Sequence, residues 1–294
     1  MEPLAANDPR QVGPFRILGR LGRGTVGEVF LGRSPGGRPV AVKVVLPGPA
    51  GDETFRRRFR AEVDAARRVQ GLHTAPVVDA GLDAARPWLA TAYVPGPSLE
   101  EAVSAHGPLP AATVVALCAG LAEGLSAVHR AGLVHGDVKP GNVLLASGGP
   151  HIVDFGIARA FEDAGTFTSV RIGDPGFSAP EQIRGDEPGP AADVFSLGCV
   201  LAYAATGRHP FGGGTAAEVV HRMAHGEPDL AGVPEPLAGT IRACLAKDPA
   251  RRPAPAGLLR PARPPPPGAA HPLPVPGVHR EGLRGPAHDH RRRL

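Results

Sequence analysis

Three segments of the chain carry side chains whose types and spacing suit chemistry. In Asp137-Val138-Lys139-Pro140-Gly141-Asn142, a carboxylate, an ammonium and an amide stand within six residues, flanked by Val134 and by Val143-Leu144. A carboxylate can take the proton of a hydroxyl, an ammonium can steady an anionic group, and an amide oxygen can ligate a hard cation. Phosphoryl transfer to a hydroxyl needs that set. Ten residues after Leu144, Asp154-Phe155-Gly156 follows the apolar pair Ile152-Val153; a carboxylate at the end of a short buried strand suits Mg²⁺. The third segment, Gly22-Arg23-Gly24-Thr25-Val26-Gly27-Glu28-Val29, leads into an alternating strand pattern and not into a helix. A dinucleotide fingerprint needs the helix. A strand–loop–strand arrangement instead lets backbone N–H groups lie over a triphosphate, because glycines leave room for close approach.

Lys43, in Val40-Ala41-Val42-Lys43-Val44, gains weight from composition. Of 32 basic residues only Lys43, Lys139 and Lys247 are lysines. A chain that otherwise uses arginine for surface cations keeps lysine where a compact point charge is needed.

These groups need elements to hold them. Strands are predicted around 15–18, 29–31, 39–45, 77–78 and 88–94, from β-branched runs punctuated by Gly and Pro. Phe55, Phe59, Val63, Ala66 and Val69 recur at spacings of three and four within 52–70, which predicts an amphipathic helix. Further helices are predicted at 99–106, 111–130, 191–206, 215–226 and 236–246, with short strands and loops over 133–190. The most apolar stretch, Ala111 to Val128, is interrupted by Glu123 and has small residues throughout, and reads as a buried helix and not as a membrane span.

The 294 residues allow one two-lobed domain or two units. The net charge of +4 lies wholly beyond residue 260: positions 1–260 hold 26 basic and 26 acidic residues. The main body therefore lacks the electrostatic footprint of a nucleic-acid binder. Cys118, Cys199 and Cys244 fit neither a disulfide framework nor a metal-ligand spacing, and read as reduced thiols of a cytoplasmic protein. Residues 1–13 show no cationic start followed by an apolar run, so no signal peptide is expected. Nine of the last 34 residues are proline, and no apolar period survives there, which predicts a disordered segment.

Taken together, the glycine loop, strand lysine, catalytic loop and Asp-Phe-Gly resemble the protein-kinase signature set in its order. Ala179-Pro180-Glu181, Asp193-Val194-Phe195-Ser196-Leu197-Gly198, Lys247-Asp248-Pro249 and Arg252-Pro253 extend the likeness from about Phe15 to Leu259. The chain resembles the eukaryotic-like serine/threonine kinases of actinobacteria. The resemblance implies an α+β, two-lobed protein-kinase fold: an antiparallel-sheet N-lobe at about 14–94 with one main helix, and a mostly helical C-lobe at about 95–260. Residues 1–13 would be an N-terminal extension and 261–294 a Pro/Arg-rich tail. It further implies ATP and Mg²⁺ as cofactors, protein serine or threonine hydroxyls as substrates, and autophosphorylation.

Position by position, the resemblance places Gly22, Gly24 and Gly27 over the phosphates. Lys43 would hold them and pair with Glu62 on the N-lobe helix. Leu21, Val29, Ala41 and Leu144 would sandwich adenine, with Thr91 at the gatekeeper position and the backbone of Ala92 and Val94 on the adenine edge. Asp137 would be the catalytic base, Lys139 would steady the γ-phosphate, and Asn142 and Asp154 would ligate Mg²⁺. Glu181 would pair with Arg252 in the interior, and Asp193 would tie the catalytic loop from below.

Two departures stand out. Gly136 replaces the arginine that the family carries before the catalytic aspartate, and Asp174 replaces a threonine. A carboxylate at 174 would act on Asp137 or Lys139. These two positions keep a second reading open, an ATP-binding pseudokinase scaffold. Thr166 and Thr168 fall where related kinases are phosphorylated, with Arg159 and Arg171 as the nearby cations. For the tail two readings fit: a basic Pro-rich interaction segment, or a reading frame shifted near Arg260.

Overall fold

The computed structural model describes residues 1–24, 27–46, 50–154 and 175–258. Six antiparallel strands form the first sheet: β1 (Gln11–Val12), β2 (Phe15–Arg23), β3 (Gly27–Arg33), β4 (Pro39–Val45), β5 (Val77–Gly81) and β6 (Trp88–Ala92), in the order β1-β2-β3-β4-β6-β5. Alternation along β4 sends Val40, Val42 and Val44 to one face, where they bury against Phe15, Phe30 and Trp88. The helix α1 (Glu53–Ala66) packs Phe55, Phe59 and Val63 against Val45 and Leu89. Asp52 caps α1, its carboxylate accepting from the N–H groups of Thr54 and Phe55.

The N-terminal extension is docked on this sheet. Gln11–Val12 pairs with β2, and Glu2 bridges Arg20 through two backbone hydrogen bonds of 2.9 Å. The Arg20 guanidinium donates to the buried Asp8 carboxylate and holds it below the ordinary carboxylate range, and lies 3.3 Å from Glu28. The extension carries too few apolar residues to announce itself in the sequence; it is held by polar pairing.

The second lobe is helical: α2 (Leu99–His106), α3 (Ala111–Arg130), α4 (Pro180–Arg184), α5 (Pro190–Thr206), α6 (Ala216–His225), α7 (Glu235–Cys244) and α8 (Pro255–Leu258). Its core joins Leu117, Leu121 and Leu125 of α3 to Phe195, Leu197 and Leu201 of α5 and Ile241 of α7. The helix α3 is long and apolar enough to cross a membrane, yet its leucines are fully buried against α5, as core residues are. Ser98 and Thr215 start α2 and α6 with reciprocal capping boxes to Glu101 and Glu218. A two-stranded ribbon, β7 (Val143–Ala146) and β8 (Gly149–Ile152), lies at the lobe boundary. The Leu145 N–H donates to Pro97 O, and the Ile152 N–H to His73 O, both at 2.9 Å. These bonds fix the ribbon to the segments entering and leaving the sheet.

Candidate active site

Strand register builds the upper wall of the site. Across β3, β4 and β6, Val29 lies opposite Lys43 and Lys43 opposite Leu89. One pleat along, Ala41 faces Thr91, which faces Val77. Residues directly opposite share a face, so these six side chains converge, and with Asp154 they line one pocket. Val29, Ala41, Lys43, Thr91 and Asp154 were expected there. Val77 and Leu89 were not, because a partner strand's register is invisible in the sequence.

Gly22 lies near the end of β2 and Gly27 opens β3, and the Gly24 N–H donates to Gly27 O at 2.8 Å. A methyl group on Gly27 would sit 2.5 Å from the carbonyl oxygen of Val44, so packing alone demands glycine there. Gly22 and Gly24 meet no such obstacle. Leu21 is half-buried on β2. Val94 and the half-buried Leu144 share a small apolar cluster with Ala75 and Ala146. The Ala92 N–H is donated to Pro76 O at 2.9 Å, so only the Ala92 carbonyl is left to meet a ligand.

Lys43 Nζ lies 3.2 Å from Asp154 Oδ2. The expected Lys43–Glu62 pair is not among the ion pairs of the described residues. Asp154 has a backbone φ of 63°, a left-handed conformation that aspartate tolerates better than most residues. Its carboxylate neutralises the ammonium in this arrangement, and Glu62 remains half-buried on α1.

The catalytic-loop expectation concerns one compact knot. Lys139 Nζ lies 3.0 Å from Asp137 Oδ2. Asn142 Nδ2 donates to the same oxygen at 3.0 Å and to the Asp137 carbonyl at 2.8 Å. The turn Pro140–Asn142 between them makes this possible. Two consequences follow from donor counting: Asp137 Oδ1 has no protein partner among the described residues, and the Asn142 Oδ1 is the amide atom left to accept. The Asp137 N–H donates to His135 Nδ1 at 3.2 Å, while His135 Nε2 lies 3.0 Å from Val153 O. His135 therefore carries its proton on Nε2 and links the loop to the residue before Asp154.

Beneath the knot, Asp193 is 1% exposed. Its Oδ1 accepts from the Gly136 N–H and its Oδ2 from the His135 N–H, both at 2.8 Å, and His129 Nε2 lies 2.7 Å from Oδ2. Gln182 Nε2 donates to Gly136 O at 3.0 Å. This tie holds Gly136 at φ 76°, a conformation glycine adopts without the penalty an arginine would carry. Glu181 and Arg252 form a two-pronged buried pair, with contacts of 2.5 and 2.8 Å. Phe155, Gly156, Asp174, the threonines 166 and 168, Arg159, Arg171 and the tail lie outside the described residues.

The oxygen set suits a small hard cation. Asn142 contributes one free amide oxygen and Asp154 a carboxylate, while no group of three or more His, Cys, Asp or Glu gathers among the described residues. Such a sparse set matches Mg²⁺, which takes one or two protein ligands and completes its shell with phosphate and water.

Comparison with known proteins agrees with this geometry. The family model described as protein kinase domain matches residues 15–261. The chain is 50% identical over 260 residues to the probable serine/threonine-protein kinase PkwA of Thermomonospora curvata, covering 88% of this chain and 35% of that one. It is 49% identical to the serine/threonine-protein kinase AfsK of Streptomyces coelicolor, over 88% of this chain and 32% of that one. The chain thus spans about a third of the length of these curated relatives. The solved PknI kinase domain of Mycobacterium tuberculosis superposes with a TM-score of 0.68 at 29% identity, covering 87% of this chain and 97% of that one. With a strand lysine, a tied catalytic loop and a matching model over the whole described core, the chain belongs to the protein kinase family.

Proposed function

We propose that the chain transfers the γ-phosphoryl group of ATP to serine and threonine hydroxyls of proteins, its own among them. The observation that carries this reading is the state of Asp137. One carboxylate oxygen is held by Lys139 and Asn142; the other faces no protein donor among the described residues. A base fixed on one oxygen and open on the other can receive a hydroxyl and take its proton as the oxygen attacks. Lys139, beside it, places positive charge where the transferred group becomes anionic.

Lys43 is the cation for the α and β phosphates; leaving Asp154 for them frees that carboxylate to ligate metal. Gly22 and Gly24, which protein packing does not require, leave the glycine turn bare for phosphate. Leu21, Val29, Ala41 and Leu144 are the apolar surfaces for adenine, and the Ala92 carbonyl and Val94 backbone serve its edge. Glu62 is assigned to steadying Lys43 once Asp154 turns to the metal. When bound by Asn142 Oδ1 and Asp154, Mg²⁺ supplies neutralisation of phosphate charge. The serine/threonine class rests on Lys139 following Asp137 by two residues and on the relatives being serine/threonine-protein kinases. The free, buried thiols suit a reducing, cytoplasmic compartment, and the neutral main body argues for protein substrates and against nucleic acid.

Incubation with Mg²⁺ and γ-labelled ATP, followed by phosphoamino-acid analysis, tests the proposal. Label on phosphoserine or phosphothreonine is expected. No label, or label on phosphotyrosine alone, overturns it.

A further inference from the structure

The strand ends that carry the glycines are not held by their ladder alone. The pairing of β2 with β3 shifts register between Ile17 and Gly19, and again between Arg20 and Gly22. Irregularities of this kind disrupt a ladder locally and twist the strand beyond them. Arg20 sits between the two. Its Nη1 lies 3.3 Å from Oε1 of Glu28, the residue that follows Gly27. Glu28 pairs with Arg23 beyond the second irregularity, so the Arg20–Glu28 contact spans it. The other Glu28 oxygen lies 3.4 Å from Arg86 Nη2, and Arg86 Nε donates to Val45 O at 3.0 Å. The Glu28 side chain is only 12% exposed, so salt and water screen these pairs less than they screen surface pairs.

Arg20 is in turn fixed by the first ten residues. Its guanidinium stands 5.7 Å from the centroid of the Phe30 ring and donates to Asp8 Oδ1. The Asp8 side chain is 3% exposed, and its second oxygen accepts from the Ala5 N–H at 2.8 Å. The backbones of Glu2 and Arg20 exchange two hydrogen bonds. A methyl group on Gly19 would lie 3.0 Å from the Met1 side chain, so the glycine beside Arg20 leaves room for the segment. Asp8, Arg20, Glu28 and Arg86 therefore alternate in sign from the start of the chain to the strand that opens with Gly27 and puts Val29 in the pocket. We infer that Asp8 is a positioning residue for the nucleotide: acting through Arg20 on Glu28, it holds Gly27 and Val29 where ATP binds. This inference rests on the proposed use of ATP at the glycine turn.

The test reads the affinity for MgADP by titration calorimetry, which needs no transfer, together with KM and kcat for MgATP and a serine peptide. Wild type is compared with Asp8→Asn, Glu28→Gln and the double variant, each checked for folding by melting curves. Asp8→Asn should weaken MgADP binding and raise KM for MgATP by about fivefold, the lower end of coupling between sites. Its kcat and its KM for the peptide should stay within about twofold of wild type. In the Glu28→Gln background the same substitution should change nucleotide affinity by less than about twofold, because the route to the glycines is already cut. Linkage gives a second reading on wild type itself: saturating MgADP should slow hydrogen exchange of the Glu2 and Asp8 amides by the same factor. Wild-type affinity in Asp8→Asn, an undiminished effect on top of Glu28→Gln, or exchange at Glu2 and Asp8 that ignores MgADP overturns the positioning role and leaves the kinase reading intact. No binding of nucleotide by wild type overturns both.

Discussion

Replacing Asp193 by Asn probes the link between the buried tie and catalysis. The carboxylate offers two acceptor oxygens to the N–H groups of His135 and Gly136 at 2.8 Å, and one of these oxygens also meets His129. An amide offers a single oxygen, so one backbone N–H would face an NH₂ group. A hydrogen bond to a charged acceptor contributes about 1.5–3 kcal/mol, and a buried donor left unmade costs a further ~1–3 kcal/mol. The expected destabilisation is about 3–4 kcal/mol, because the surviving bonds also weaken when the charge is lost. A domain with stability of about 5–15 kcal/mol remains folded at 25 °C after such a loss.

The loop above the substitution should not keep its shape. Freed from the tie, Gly136 can leave φ 76°, and Asp137 moves with it. A displacement of about 1 Å typically costs on the order of 100-fold in rate. Urea unfolding should therefore show the stability loss, and steady-state kinetics should show kcat down about 100-fold with KM for ATP changed by less than about threefold. The asymmetry arises because Lys43 and the glycine turn belong to the sheet, not to the tied loop. A stability loss with unchanged kcat would refute the positioning role. An unchanged midpoint, within about 0.5 kcal/mol, would refute the energetic account of the tie.

Three further outcomes follow from individual contacts. Arg252→Met should destabilise the second lobe by about 3–5 kcal/mol in urea unfolding, since it strands the buried Glu181 carboxylate; Arg252→Met with Glu181→Leu should recover much of that loss. Gly136→Ala should cost about 1–2 kcal/mol by the same method, because a side chain at φ 76° is strained. Burial pushes the thiol of Cys118 up to about 11 and that of Cys244 up to about 12, and raises Cys199 further still. The folded chain then keeps protons that the unfolded chain releases above the ordinary value of 9.0. Stability should fall as pH rises from 9 toward 11, and native thiols should resist a disulfide reagent at pH 8 until denaturant is added.

The chemistry of this chain was legible where it is local. Asp137, Lys139 and Asn142 sit within six residues, so their meeting needs only one turn at Pro140, and their types are those of the proposed phosphoryl transfer. The helices over 99–106 and 111–130 have the predicted bounds, because an apolar face is written along each single segment, and in the first a Ser98–Glu101 capping box marks the start as well. What escaped the sequence is what two distant segments decide together. Val77 and Leu89 reach the pocket only through strand register. The Lys43 ion pair depended on which of two carboxylates stood nearer in space, and the structure puts Asp154 there. The two-residue strand before Phe15 is too short for any periodicity, and its pairing to β2 is a matter of backbone hydrogen bonds.

Asp137, held on one oxygen by Lys139 and Asn142 and with no partner on the other among the described residues, is the proposed base for phosphoryl transfer. The most direct measurement compares wild type with Asp137→Asn for transfer of labelled phosphate from MgATP to a serine peptide, with nucleotide binding followed separately by fluorescence. The account predicts a rate lower by about 100-fold or more with nucleotide affinity retained. Equal transfer by the two proteins would contradict it.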